Sequence, residues 1–371
     1  MTRVRAAPPR VRIAGRLLAL AGALSIAGCS AIEFYWQGAA GQLDLLARAK
    51  PIAEVVAATP DAGLRQRLLQ AQAIRAYASR ELALPDNGSY TRYADLGRPY
   101  VVWNVFAAPE LSLTPREWCF PVAGCVSYRG YFAEGDARAE AARIAAAGDD
   151  VHVGGVPAYS TLGWFDDPVL STFIRYRETE LARLVFHELA HQVVYVKDDT
   201  SFNESFATTV EEEGLRRWLA AQAGRPDADA LRAEAARGTR VRGEFRALLR
   251  TTRDRLAALY ASGASEADRR AGKAAAFAAL RAEYERLQAG GEPVAALERW
   301  FAAGANNAGI AAAGLYDDRV PAFAALLAAE GGDLPGFYGR VKALAALPRP
   351  ARDAALAAAS AGAAGSRKPP G

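Results

Sequence analysis

The chain has 371 residues, 51% of them hydrophobic, enough for one large domain with a sizeable core. Its formal charge of +4 comes from 45 basic and 41 acidic residues. Five of the basic residues, Arg3, Arg5, Arg10, Arg12 and Arg16, precede Cys29 and no acidic residue does; without them 40 basic residues face 41 acidic ones. No basic surplus is left to hold a nucleic acid, and no such partner is expected.

The arginine-rich start is followed by a short apolar run, Leu17 to Ile26, too short to cross a bilayer as a mature helix. Ser25-Ile26-Ala27-Gly28-Cys29 resembles a bacterial lipobox. That resemblance implies a signal peptide over 1–28, lipid modification of Cys29, and a place in the cell envelope facing the periplasm. Ser30, in place of an aspartate, favours the outer over the inner membrane by analogy with Gram-negative lipoproteins. The two other cysteines, Cys119 and Cys125, form an even pair in an oxidising compartment and predict a disulfide closing a short loop.

Apolar residues at helical spacing predict two or three helices from Ile32 to about Ala83, interrupted at Pro51 and at Thr59-Pro60-Asp61. Tyr100 to Phe106 reads as a strand, Trp118 to Phe132 as irregular with short extended pieces, Ala133 to Ala147 as a helix, and Asp150 to Val153 as a strand. Gly154 to Gly163 is extended and rich in turn residues. Helices are predicted from Arg177 to about Tyr195 and from Glu204 to about Ala221, then a helical hairpin broken near Ser262, then further helices to Leu347. The predicted class is mainly α with a small sheet. A single domain is expected over 29–347, with a helical insertion at about 226–290 and a disordered tail over 348–371.

Two of the three histidines, His187 and His191, stand four apart on a predicted helix, with Glu188 beside the first. Positions i and i+4 share a helix face, so both imidazoles can grip one divalent ion while Glu188 reaches its water. A third ligand must come from elsewhere. Glu204 opens the next helix, thirteen positions beyond His191, and an antiparallel pair joined by a short loop would turn it toward the histidines. Burying two imidazoles and two carboxylates in so apolar a helix is unfavourable without a metal.

His187-Glu188-Leu189-Ala190-His191 followed by Asn203-Glu204-Ser205-Phe206-Ala207 is similar to the gluzincin metallopeptidases, whose second helix carries a zinc-binding glutamate. The resemblance implies a zincin-like core, Zn²⁺ held by His187, His191 and Glu204, Glu188 as general base, and a peptide substrate. The spacer is shorter than in the large zinc aminopeptidases. Counting from the thermolysin-like enzymes instead picks Glu211, twenty positions after His191, as the rival third ligand. More broadly, the chain resembles a bacterial family of predicted aminopeptidases, on the segments 118–132, 155–170, the motif core and 306–323. Gluzincins often stabilise the oxyanion with Tyr or His, so Tyr316, ahead of His152, is the candidate. Their substrates often lie along an edge strand before the motif helix, which points to Gly155, Val156, Ala158 and Tyr159. Asp166 and Asp167 could hold a free α-amino group. Two competing readings are a non-enzymatic envelope lipoprotein with a structural metal, and a hydrolase of cell-wall peptides.

Overall fold

The computed structural model describes residues 34–120, 124–288, 295–314 and 319–366. The expected signal peptide, Cys29 and Tyr316 lie outside the described residues. The chain divides into two units, 1–47 and 48–371. The first contributes a helix, α1, residues 34–48.

The second unit opens with β1 (Lys50–Pro51), α2 (Ile52–Ala58), α3 (Ala62–Leu82) and β2 (Arg92–Ala94). A strand-rich stretch follows: β3 (Val102–Pro109), β4 (Trp118–Phe120), β5 (Gly124–Val126), β6 (Arg129–Tyr131), α4 (Glu134–Ala145), β7 (Asp149–Val156) and β8 (Val169–Leu170). From there on the described chain is helical: α5 (Glu178–His191), α6 (Thr200–Ala221), α7 (Ala228–Ala261), α8 (Glu266–Gln288), α9 (Ala295–Ala302), α10 (Asn307–Gly314), α11 (Val320–Ala329), α12 (Leu334–Ala345) and α13 (Arg349–Ser366). The protein is therefore mainly α with small sheets. The helical hairpin expected near 226–290 is α7 and α8, which pack on each other across a turn at Ser262.

The central sheet has the order β6-β3-β7, all antiparallel. Strand β3 is rich in β-branched and aromatic residues and is buried along almost its whole length, as a strand with helices against it must be. Helices α4 and α10 pack on it. Strand β7 is an edge of this sheet, aligned so that Val105 faces Val153 and Phe106 faces His152. Its start is pinned by α10: Asn306 Nδ2 donates to the Val151 carbonyl (2.8 Å), and the Asn307 backbone N–H donates to Asp150 (2.9 Å). A second sheet, β1-β2-β8, was not foreseen; its strands are only two or three residues long, too short for an alternating pattern to show. Cys119 and Cys125 face each other across the β4–β5 pair and are joined by a disulfide.

Helices α5 and α6 pack against each other and hold the site. Leu181, Val185, Phe186 and Leu189 form the buried face of α5. On α6, Phe202 and Phe206 are fully buried and turn the other way, against Phe323, with Phe206 also against Phe337 and Tyr338. Gly214 permits the close approach: a Cβ there would come within 2.8 Å of both Leu82 and Phe186.

The connection is fixed by two side chains. Asn203 brackets Val196, accepting from its N–H and donating to its carbonyl, both at 2.7 Å. Asp199 caps α6 by accepting from the Phe202 N–H at 3.2 Å. Asp199 is itself buried, and the guanidinium groups of Arg319 (3.2 Å) and Arg352 (2.6 Å) close on it. The second of these corrects the sequence-based expectation for the C-terminus. Residues beyond 348, expected to be disordered, form α13 over Arg349–Ser366, which packs on α11 and buries Arg352 and Leu356. The Ala-rich composition hid a helix held by a charge pair 153 residues away in sequence.

Burial opposes the charge on Asp199, but Arg352, Arg319 and the Phe202 N–H outweigh it and hold the carboxyl below its usual 3.8. Arg352→Met should therefore lower unfolding stability by about 3 kcal/mol in urea titrations at pH 7, since it strips a buried carboxylate of its closest partner. The Asp199 contribution is present above pH 3.8 and lost as pH falls through the lowered folded value. The gap between the variant and the parent should accordingly narrow below that pH.

Candidate metal centre

The i, i+4 spacing on α5 brings the two imidazoles to one face, with His187 Nε2 and His191 Nε2 3.2 Å apart. Glu204, in the first turns of α6, points back at them. Its carboxylate oxygens lie 3.3 Å from His187 Nε2 and 3.8 Å from His191 Nε2. One donor atom from each of His187, His191 and Glu204 falls within a span of 4.8 Å.

Glu211, the rival third ligand, is not in this group. It lies two turns along α6 and accepts from His187 Nδ1 at 3.1 Å on the far side of the ring. Arg183 donates to its other oxygen at 2.9 Å. The carboxylate thus holds a proton on His187 Nδ1 and keeps Nε2 facing Glu204. His191 Nδ1 is buried and has no hydrogen-bond partner among the described residues.

The donor set fits a divalent cation. Two Nε2 atoms and a carboxylate converge on one point, the arrangement a divalent cation takes. Burial opposes charge on His187, yet Glu204 and Glu211 together raise its pKa well above normal. Burial pushes His191 down to about 4, so its ring is neutral and free to ligate. Glu204 and His187 each keep 18% of their side-chain surface exposed, which leaves a path to solvent.

Glu188 stands next to His187 on α5. Burial pushes its carboxyl up to about 7, assisted by the charges of Glu204, Asp167 and Glu211 and opposed by that of His187.

Around it the structure gathers residues that the sequence did not single out. Tyr90 sits at a left-handed backbone position (φ 63°), and its buried hydroxyl has no hydrogen-bond partner among the described residues. Its loop is clamped from one side by Arg75, which donates to the Ser89 carbonyl (2.7 Å) and the Pro85 carbonyl (2.8 Å). From the other side Gln192, the residue after His191, accepts from Asn87 (2.8 Å) and donates to Ser89 (3.1 Å). Tyr90 feels the charge of Glu188, and Tyr128 those of Glu204 and Glu188; burial, the larger effect, keeps both phenols protonated, Tyr128 with a pKa of about 12.

The other sequence candidates are placed as follows. His152 is outside the cluster, buried between Phe106 and Trp300 with burial lowering its pKa. Gly155 and Val156 end the edge strand β7, Ala158 is buried, and Tyr159 packs edge-on against Phe132 at 6.1 Å. Asp167 is buried and accepts from both the N–H and the hydroxyl of Thr161 (2.8 Å each), while Asp166 is exposed.

A sequence model of the family described as "Putative aminopeptidase" matches residues 33–356. The chain belongs to this family. The match takes in β1 through the first two turns of α13, so the site and the C-terminal clamp both fall within it. No curated protein and no solved structure matches the chain.

If Glu211 orients His187 rather than completing the ligand set, Glu211→Gln should weaken zinc affinity only about tenfold. Glu204→Gln should weaken it far more. Competition titrations against a chromogenic chelator measure both, and equal losses would overturn the division of roles.

Proposed function

We propose that the protein is a zinc-dependent peptidase, acting as an aminopeptidase, with His187, His191 and Glu204 as the metal ligands and Glu188 as general base. The observation that carries this reading is the convergence of the three donor groups within 4.8 Å beside the half-buried Glu188. The family description supports the same activity.

Zinc, when bound, supplies a polarised scissile carbonyl and a lowered pKa for the attacking water. Glu188 accepts the water's proton at its carboxylate and returns it to the leaving amine. Glu211 holds the His187 ring in register while charge redistributes. The oxyanion needs a donor with a retained proton, and the Tyr90 and Tyr128 phenols meet that requirement. Asp167, whose charge reaches Glu188, offers negative potential for a substrate's free α-amino group.

Cys29 is proposed as the lipid-bearing N-terminus that tethers the mature protein in the envelope, at the outer membrane and facing the periplasm. The partial exposure of His187 and Glu204 argues against a sealed structural metal site.

Glu188→Gln should retain zinc by metal analysis and lose about 10²–10⁴-fold in kcat on aminoacyl fluorogenic substrates. Acetylating the substrate's N-terminus should abolish cleavage by the parent enzyme. Unchanged turnover in the variant would remove Glu188 from the mechanism; cleavage of the acetylated peptide would make the enzyme an endopeptidase.

A further inference from the structure

The turn over residues 160–167 carries Trp164 and Phe165 at its tip. Trp164 is 85% exposed and Phe165 47%, and Trp164 is the most exposed large hydrophobic residue among those described. An indole left in water forgoes the free energy that burial would return, so two adjacent bare rings mark a surface with an occupant. The display does not come from a slack backbone. Leu162 sits at φ 58° and Gly163 at φ 82°. Glycine takes the left-handed region freely, but leucine is strained there and stays only where its surroundings impose it. The Leu162 N–H donates to Ser160 Oγ, the Trp164 N–H to the Thr161 carbonyl and the Phe165 N–H to the Thr161 hydroxyl, each at 3.1 Å. These bonds hold the turn wound and its two rings outward.

The turn rests on the end of α5. Gly163 lies against Gln192, whose Oε1 would be 3.6 Å from a Cβ placed on the glycine. Gln192 directly follows His191 and stands one turn beyond Glu188, about 6 Å along the axis at 1.5 Å per residue. Two further contacts join the turn to the loop of Tyr90. The Asp166 carboxylate occupies the space that a Cβ on Gly88 would need, and the Asp167 carbonyl accepts from the Tyr90 N–H (2.6 Å). The charge of Asp167 also reaches Glu188. The exposed rings are therefore mounted on the Glu188 side of the His–Glu cluster.

We propose that Trp164, with Phe165, receives the side chain of a substrate's N-terminal residue and selects large apolar residues there, leucine and phenylalanine above alanine and glutamate. The proposal rests on the peptidase reading and on Asp167 as the partner of the α-amino group. That amine and the side chain leave the same carbon atom, so the group that receives one must stand beside the group that receives the other. Trp164 and Phe165 are three and two residues from Asp167, on the turn that Asp167 closes through Thr161. A flat indole can cover an aliphatic chain or stack on a ring. Asp166, exposed next to Phe165, and Asp167 disfavour an acidic side chain in the same place.

The test is calorimetric titration of the full-length, zinc-loaded Glu188→Gln protein, which binds without turnover. Tripeptides X-Gly-Gly with leucine, phenylalanine, alanine or glutamate at X are compared, and the unaltered protein is assayed for cleavage of the same peptides. We expect the leucine and phenylalanine peptides to bind about tenfold tighter than the alanine peptide, and the glutamate peptide weakest. Adding Trp164→Ala should bring the leucine-to-alanine ratio close to one, while Trp164→Phe should keep most of it. The leucine peptide should also shift tryptophan emission to the blue, and Trp164→Phe should remove that shift. Trp164 is exposed, so an unchanged Tm and zinc content in both variants separate lost selectivity from a damaged fold.

Equal affinities across the series, no binding, or a ratio untouched by Trp164→Ala would overturn the proposal. So would sedimentation with phosphatidylethanolamine–phosphatidylglycerol vesicles that Trp164→Ala abolishes while selectivity stays the same, which would give the turn to a lipid surface. Apolar preference in binding without cleavage by the unaltered protein would count against the peptidase reading alone. Cleavage without that preference would count against the role of Trp164 alone.

Discussion

Ionisable side chains packed between two helices, largely out of water, are stable only if each has a charge partner or a ligand. The α5–α6 pair obeys this constraint throughout. Arg183 answers Glu211, Glu211 answers His187, and Glu204 answers both histidines. The chain of partners ends at a point where two imidazole nitrogens face each other, and there a cation is the natural completion. The apolar faces of both helices, Gly214 and the aromatic packing around Phe206 serve to hold this sequence of charges in line.

The same economy explains why Glu204 follows so closely on His191. A short connection between antiparallel helices must turn sharply and still satisfy its backbone. Asn203 does so by bonding both polar groups of Val196, and Asp199 by capping α6. Asp198 takes up the remaining strain in a left-handed conformation, and its side chain accepts from the Cys125 N–H (3.0 Å) on the disulfide hairpin. The Asn-Glu pair is thus a unit: Asn203 fixes the turn and Glu204 uses the direction the turn creates.

Much of this was legible in the sequence because it is local. The i, i+4 histidines, the carboxylate opening the next helix, the α7–α8 hairpin and the cysteine pair all depend on spacing along one or two elements. Glu211 was seen as a rival third ligand, and the structure places it on His187 Nδ1. The seven-residue step from Glu204 to Glu211 puts both on one face of α6, and that spacing could have signalled two carboxylates for one imidazole. Tyr90 carried no such signal. It reaches the site through a loop 97 residues before His187, held by Arg75 and Gln192, and neither contact has a sequence period. The C-terminal helix was missed for a related reason: alanine gives little amphipathic contrast, and its anchor is one long-range ion pair.

That anchor bears on the order in which the chain is made. Both histidines and Glu204 are synthesised well before Arg319 and Arg352, the residues that neutralise the cap at the start of the helix carrying Glu204. A growing chain, or one ended early by a premature stop, holds His187, His191 and Glu204 but leaves Asp199 without its guanidinium partners. The site therefore gains its full support only when synthesis is nearly complete. A protein built this way keeps its His–Glu cluster incompletely braced until the C-terminal helix has been made.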